Sequence, residues 1–407
     1  MKILVLYRHF WPDSPPYATK LRSIGRRLVA DGHEMIVWCE APSYKKSDLA
    51  LDSPRRETLD GIRVERMRRL PLAHGSRLMR TLGKLAFVPR LLAKALIRKL
   101  RGERYDLVWT ATIPPVLQGW AGRTIARLFG ARFLYHCQDL YPELATHVGM
   151  WPKDGLLCRI LSPIERRTRQ RAAALVTLSA DMAATAAALT PGARIEVINN
   201  FMLDAFSETA EAVPQKRAEP GERRITVGFA GNIGQFQALD AVVDAFRQLP
   251  AETPLDLEFM GDGEAKPSLE RRAQALSSIR FLPHRPFTEA RHAIAAYDLG
   301  LVSVEPNIYR VAYPSKTLTY LGLGVPVLAI IEPESELARM IETEGLGFVV
   351  GQRDSAVIAS RLADIAASPD RLAEMSRRAC AYYEEVMSTD ARLDQWSALI
   401  SRLEQRL

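Results

Sequence analysis

Short apolar runs and stretches of 3.6-residue periodicity alternate along this chain, which predicts strands and helices in turn. Ile3 to Tyr7 reads as a short apolar strand and Tyr17 to Ala30 as a helix. After the Asp31-Gly32 turn, His33 to Cys39 reads as a second strand. Ile62 to Met67 suits a short edge strand. Leu107 to Thr110, Arg132 to Cys137, Leu175 to Leu178 and Ile195 to Ile198 follow as strands, with helices over Val116 to Phe129 and Leu156 to Arg171. Asp204 to Arg223 breaks the alternation; it carries Pro214, Pro220 and several charges, and reads as a linker.

A second series begins at once. Its strands are Ile225 to Ala230, Leu255 to Met260, Ile279 to Leu282, Leu299 to Val304, Val325 to Ile331 and Gly347 to Val350. Its helices are Ala238 to Gln248, Ser268 to Leu276, Thr288 to Tyr297, Lys316 to Gly322, Ser335 to Glu342 and Ser355 to Ala367. Arg371 to Leu407 is helical, with a break at Ser388-Thr389-Asp390 that supplies a fresh N-cap. The pattern is α/β: two doubly wound, Rossmann-like domains, residues 1–204 and 224–389, joined by 205–223. Ligands of such sheets bind outside the carboxyl ends of the strands, here expected in a cleft that the two domains face.

Composition narrows the class. A chain of 407 residues, 47% hydrophobic and 25% charged, buries sizeable cores without disulfides or metals. Its most apolar run, Gly322 to Ile331, is too short to span a bilayer, and MKILVLYRHF is not a signal peptide. Cys39, Cys137, Cys158 and Cys380 are scattered and read as reduced thiols rather than a zinc site. The expected location is the cytoplasm.

Charge is unevenly placed. The net is +8, yet residues 66–101 hold 11 Lys/Arg and no Asp/Glu, which leaves 44 basic against 47 acidic residues elsewhere. Within that segment, Ser76 to Leu100 interleaves basic and apolar residues as a basic amphipathic helix or helix pair, with Pro89 as a break. Its apolar stripe can pack on its own domain while the basic flank faces an anionic membrane, at roughly 1 kcal/mol per basic residue near the surface. Few aromatics and no recognised motif speak against nucleic acid. The expectation is a protein peripheral on the inner face of the plasma membrane.

Several loops carry candidate chemistry. Gly231-Asn232-Ile233-Gly234 follows the first strand of the second half and precedes a helix, which suits a phosphate, although glycines also serve a tight turn. Gly261-Asp262-Gly263 follows the next strand in the same way. Ser315-Lys316 opens a short helix. A lysine there is misplaced relative to the helix dipole unless an anion lies beside it; the alternative is a surface lysine. Asp139, in Gln138-Asp139-Leu140-Tyr141-Pro142-Glu143, orients sugar hydroxyls or caps a turn. His136 reads as a satisfied core histidine, and Arg8 or His9 as contacts for an acceptor phosphate.

Together these stretches resemble the retaining nucleotide-sugar glycosyltransferases of the GT-B fold, group-4 family, and within it bacterial surface-polysaccharide enzymes of the L-fucosamine transferase type. The resemblance rests on QDLYPE at 138–143, VINNF at 197–201, VGFAGNIGQFQAL at 227–239, FMGDGEAK at 259–266, YPSKTLTYLGLGVPVLA at 313–329 and SELARMIETEGLGFVV at 335–350. It implies an N-terminal acceptor domain, a C-terminal donor domain and a last helix, 390–407, that returns to the first domain. It also implies transfer from a nucleoside diphosphate sugar, UDP-linked, to a lipid-linked saccharide, with no cofactor and no metal. The diphosphate would lie between the 231–234 loop and Ser315-Lys316. Lys316 would stabilise the leaving group and Asp139 would orient the sugar. Family members often carry two glutamates where this chain has Val311 and Thr319; Thr319 offers the ribose one hydrogen bond and no charge. Many also carry a basic pair where Asn232 and Gln237 stand, and paired glycines near Ser14-Pro15-Pro16. Two alternatives stay open: a nucleotide-sugar epimerase of the same architecture, using Glu305 and His284, and a non-catalytic nucleotide-sugar-binding subunit.

Overall fold

The computed structural model describes residues 1–13, 16–42, 53–68, 83, 85–202 and 224–405. Contacts divide them into two compact units. The first holds the described residues up to 202, Val311–Tyr313, and the chain from Arg392; the second holds 224–310 and 314–391. The 205–223 linker, and the basic residues Arg77, Arg80 and Lys84, lie outside the described residues.

In the first unit the strands are β1 (Lys2–Leu6), β2 (Glu34–Glu40), β3 (Arg56–Leu59), β4 (Ile62–Met67), β5 (Leu107–Ala111), β6 (Arg132–His136), β7 (Ala174–Thr177) and β8 (Ile195–Val197). They form one sheet in the order β3-β4-β2-β1-β5-β6-β7-β8. Successive residues of β1 feed opposite faces: Ile3 and Val5 enter one core, Leu4 and Leu6 the other. That is why the strand reads as a continuous apolar run.

β4 is not the edge strand that its sequence suggests. β3 pairs antiparallel outside it, with Leu59 opposite Ile62, across a two-residue turn. Asp60 (φ 51°) and Gly61 (φ 79°) take the left-handed backbone this turn needs, an Asp-Gly signal that the reading by apolar runs passes over. The final helix, Thr389–Glu404, seats Leu393, Trp396, Leu399, Ile400 and Leu403 in the first core, and Trp396 stacks on Trp109 at 4.6 Å.

The helix Phe87–Leu100 corrects the picture of a basic flank turned outward. Arg90 pairs with Glu40 at 3.0 Å, and Lys94 and Arg98 pair with Glu65 at 2.8 and 2.7 Å. Arg98 also bonds Glu103. Arg90, Lys94 and Arg98, three of the eleven basic residues counted along the segment, are therefore met by acids from outside it. Leu96, Ile97 and Leu100 are exposed instead, next to exposed Lys99 and Arg101.

The second unit is a parallel sheet of β9 (Ile225–Ala230), β10 (Leu255–Met260), β11 (Ile279–Leu282), β12 (Leu299–Ser303), β13 (Val327–Ile330) and β14 (Gly347–Val350). The order is β11-β10-β9-β12-β13-β14. Strand order reverses between β9 and β12, so the loops after those two strands flank the crevice where a doubly wound sheet takes its ligand, with the loop after β10 next to that of β9. Among the described residues no helix is long and apolar enough to cross a membrane.

Candidate functional site

The glycine loops of the second unit lock into one another. Gly231 N donates to Met260 O at 2.8 Å, and Ile233 N to Asp262 O at 2.9 Å. A side chain on Gly261 would lie 1.9 Å from Gly231 O, and one on Gly263 2.1 Å from Ile233 O. These glycines therefore let two backbones touch. Lys266 fastens the second loop through Gly261 O at 3.0 Å and Asp262 at 3.3 Å.

Lys316 meets the first loop. A Cβ on Gly231 would sit 3.1 Å from Lys316 Cε and 3.6 Å from its Nζ, and the ammonium lies 4.4 Å from the centre of the Phe229 ring. Lys316 is closely surrounded by protein although part of it still meets solvent. That enclosure pushes its ammonium down to about 8. No carboxylate pairs with it among the described residues. A desolvated cation with no counter-charge, beside a backbone that no side chain shields, is arranged for an anion.

Other expected members are placed differently. No α-helix follows Gly234 directly. A 3-10 turn, Gln235–Gln237, comes first, and the helix begins at Leu239. The Gln237 side chain accepts from Gly234 N at 2.7 Å, so that amide is already bonded. Asn232 and Asp262 are exposed. Ser315 is exposed and its hydroxyl does not cap the helix Lys316–Gly322. Thr319 lies one turn beyond Lys316, half-buried. Glu305 pairs with Arg353 at 3.3 Å and His284 is exposed; no hydrogen bond joins the two.

Asp139 belongs to the first unit, just past β6. It forms an antiparallel bridge with Ala312, and Leu140 N donates to Val311 O at 2.8 Å. Val311 is fully buried in the core of this unit, which explains an apolar residue at that position. Enclosure pushes the Asp139 carboxyl up to about 6. Glu143 turns away from any ligand role: Arg169, 1% exposed, bonds it at 2.8 Å and also donates to Tyr141 O at 2.7 Å. Arg8 is likewise taken, by Glu40 at 2.7 Å, and His9 by Asp13 at 2.6 Å. A cavity of about 460 Å³ lined by Arg132, Ala173, Arg194 and Leu403 opens at the amino ends of the strands, the wrong end of the sheet for a ligand. Among the described residues no group of three or more His, Cys, Asp or Glu side chains is placed to hold a metal ion.

Residues 17–200 match the glycosyl transferase 4-like domain. The chain is 25% identical over 270 residues to the probable glycosyltransferase WbjE of Pseudomonas aeruginosa, covering 65% of this chain and 67% of that one. This chain is a glycosyltransferase with the GT-B fold, and its residues 17–200 carry a glycosyl transferase 4-like domain. Solved structures agree on the fold. Sucrose-phosphate synthase from Thermosynechococcus elongatus superposes with a TM-score of 0.75 at 15% identity over all of both chains. Anabaena HepE in complex with UDP gives 0.68 at 17%, covering 99% of this chain and 100% of that one.

In this glycosyltransferase two positioning residues escape a reading of motifs. Tyr320, buried on the helix that starts at Lys316, accepts from Ala230 N at 3.0 Å and donates to Gly228 O at 3.3 Å. It pins that helix to β9, and Gly228 and Gly300 leave room on the sheet for the Tyr297 and Tyr320 rings. Arg169 does the same for the Asp139 loop. In sequence it is one arginine in the run Arg166-Arg167-Thr168-Arg169, and nothing local separates it from its solvated neighbours.

Proposed function

We propose that this glycosyltransferase moves a hexosyl or N-acetylhexosaminyl group from a UDP-linked sugar to a lipid-linked saccharide in bacterial surface-polysaccharide synthesis, with retention of configuration. The observation that carries the donor half is Lys316, an enclosed ammonium beside Gly231 that no carboxylate pairs with among the described residues. Support for the base comes from HepE, solved with UDP and with UDP-glucose. Support for the pathway comes from WaaG, a glycosyltransferase involved in lipopolysaccharide biosynthesis.

The diphosphate lies against Lys316 and the 231–234 backbone. The bond from the anomeric carbon to the phosphate oxygen breaks through an oxocarbenium-like state. Charge gathers on the leaving phosphate, and Lys316 and backbone amides stabilise it there, a role that needs no divalent metal. The acceptor oxygen bonds the same face of that carbon and its proton passes to the departing phosphate. Asp139 orients sugar hydroxyls. Leu96, Ile97 and Leu100, with Lys99 and Arg101, dock the enzyme on the anionic inner face of the plasma membrane, checked by flotation with anionic vesicles.

A thermal-shift screen of nucleoside diphosphates, without metal and then with Mg²⁺, tests the donor site. UDP at 100 times its dissociation constant adds about 2.7 kcal/mol of stability. Lys316→Met should abolish the shift and lower turnover by about 10²–10³-fold. No shift with any nucleoside diphosphate sinks the reading, and an inverted product in an NMR assay sinks retention.

A further inference from the structure

Lys20 lies on the helix Pro16–Ala30, one turn beyond Tyr17, and is only 5% exposed. No carboxylate pairs with it among the described residues. Burial alone pushes its ammonium down to about 8. An unpaired buried ammonium is costly, and a methionine of similar length would fill the same space without the charge.

Its charge acts on His136, which belongs to a string of neutral polar groups that includes Tyr17 of the same helix. The Tyr17 hydroxyl lies 3.0 Å from His136 Nδ1, Gln138 Nε2 lies 2.7 Å from His136 Nε2, and Asn200 Nδ2 donates to Gln138 Oε1 at 2.9 Å. With Gln138 Oε1 accepting from Asn200, its amide nitrogen donates to His136 Nε2, and His136 Nδ1 then carries the proton. His136 is neutral, its imidazole pushed down to about 3 by burial and the charge of Lys20. The string therefore offers Lys20 no negative charge. It does offer hydroxyl and amide groups of the kind that share the oxygens of an anion. His136 ends β6 and Asn200 follows β8, so the group stands at the carboxyl end of the sheet, where a ligand binds.

We propose that Lys20, on the Tyr17 helix and near the string that His136 forms with Gln138 and Asn200, is an anion site in the first unit that takes a phosphoryl group of the acceptor. The inference rests on the reading of the first unit as the acceptor side.

The test is calorimetric titration of the full-length protein with inorganic pyrophosphate, in Lys316→Met protein so that the donor lysine is absent. That protein should keep a pyrophosphate site, and adding Lys20→Met should weaken it at least tenfold. The melting temperature without ligand should hold or rise on Lys20→Met, where loss of a merely structural lysine would lower it. Unchanged pyrophosphate affinity after Lys20→Met overturns the proposal, and so does tighter binding of glucuronate than of pyrophosphate. Competition by a prenyl diphosphate in detergent or by a hexose 1-phosphate then separates a lipid-borne from a soluble source. The donor reading is judged apart from this, by the UDP shift in the Lys20→Met protein, which should persist.

Discussion

Arg169 in the first unit and Lys316 in the second are both enclosed cations, held in opposite ways. Arg169 has Glu143 at 2.8 Å, Glu165 at 3.3 Å and the Tyr141 carbonyl at 2.7 Å. Burial pulls its guanidinium down, but Glu165 and Glu143 outweigh that and hold it above its ordinary range. Lys316 has no acid paired to it among the described residues, and burial alone lowers it. The first arrangement balances its charge within the fold and fixes a loop. The second is stable only as far as the rest of the unit carries it, and on the proposed donor reading it gains its counter-charge from the diphosphate. An enclosed charge with partners is architecture; one without partners is a binding group in waiting.

The comparison breaks most visibly at Arg169. Arg169→Met leaves Glu165 and Glu143 without their cation and releases the Tyr141 carbonyl. Urea denaturation should show a loss on the order of 3–5 kcal/mol. Glu165, already pushed up to about 7 by burial against the pull of Arg169, should then take up a proton near neutral pH. Adding Glu165→Gln should restore part of the loss. A stability equal to wild type would make these pairs incidental.

Next in size is the pH dependence at Lys316. Its folded value, about 8, lies below its ordinary 10.5. Stability without ligand should therefore gain from this group as pH rises from about 8 towards 10.5, because the unfolded chain holds the extra proton. Anion binding runs the other way. Each pH unit above about 8 should weaken UDP up to tenfold, as the ammonium is lost. Lys316→Arg keeps its charge and should flatten that limb. A wild-type affinity constant to pH 9.5 would remove the charge of Lys316 from the account.

Much of this was legible in the sequence, for physical reasons. Strands buried on both faces are continuous apolar runs, so nearly every parallel strand stands out. Arg56–Leu59 has polar residues facing both ways and could be found only through the Asp60-Gly61 turn beside it. Lys316 was legible because it sits between a proline and a glycine-rich stretch, at the wrong end of a helix for its charge. Lys20, Arg169 and Tyr320 were not. Each lies within an ordinary helical pattern, and their roles come from what the fold brings to them: a neutral polar string, two glutamates, and the backbone of β9. The partners of Arg90, Lys94 and Arg98 were hidden for the same reason, since Glu40 and Glu65 are far away in sequence.

The mildest effect extends the comparison to the opposite charge. Asp139 is enclosed with no cation paired to it among the described residues, and burial pushes its carboxyl from 3.8 up to about 6. The folded state therefore favours the proton. That favour is fully present below pH 3.8 and is lost as pH rises through 6, above which a desolvated carboxylate must be carried. Asp139→Asn removes the charge and keeps the backbone bridge to Ala312. It should raise stability at pH 7 by about 1 kcal/mol, the partial solvent contact of Asp139 being allowed for, with no gain at pH 3.5. Turnover should fall in the same variant if the carboxylate has the proposed role at sugar hydroxyls. A variant less stable at pH 7 would place Asp139 with Arg169, among charges that hold the fold, rather than with Lys316.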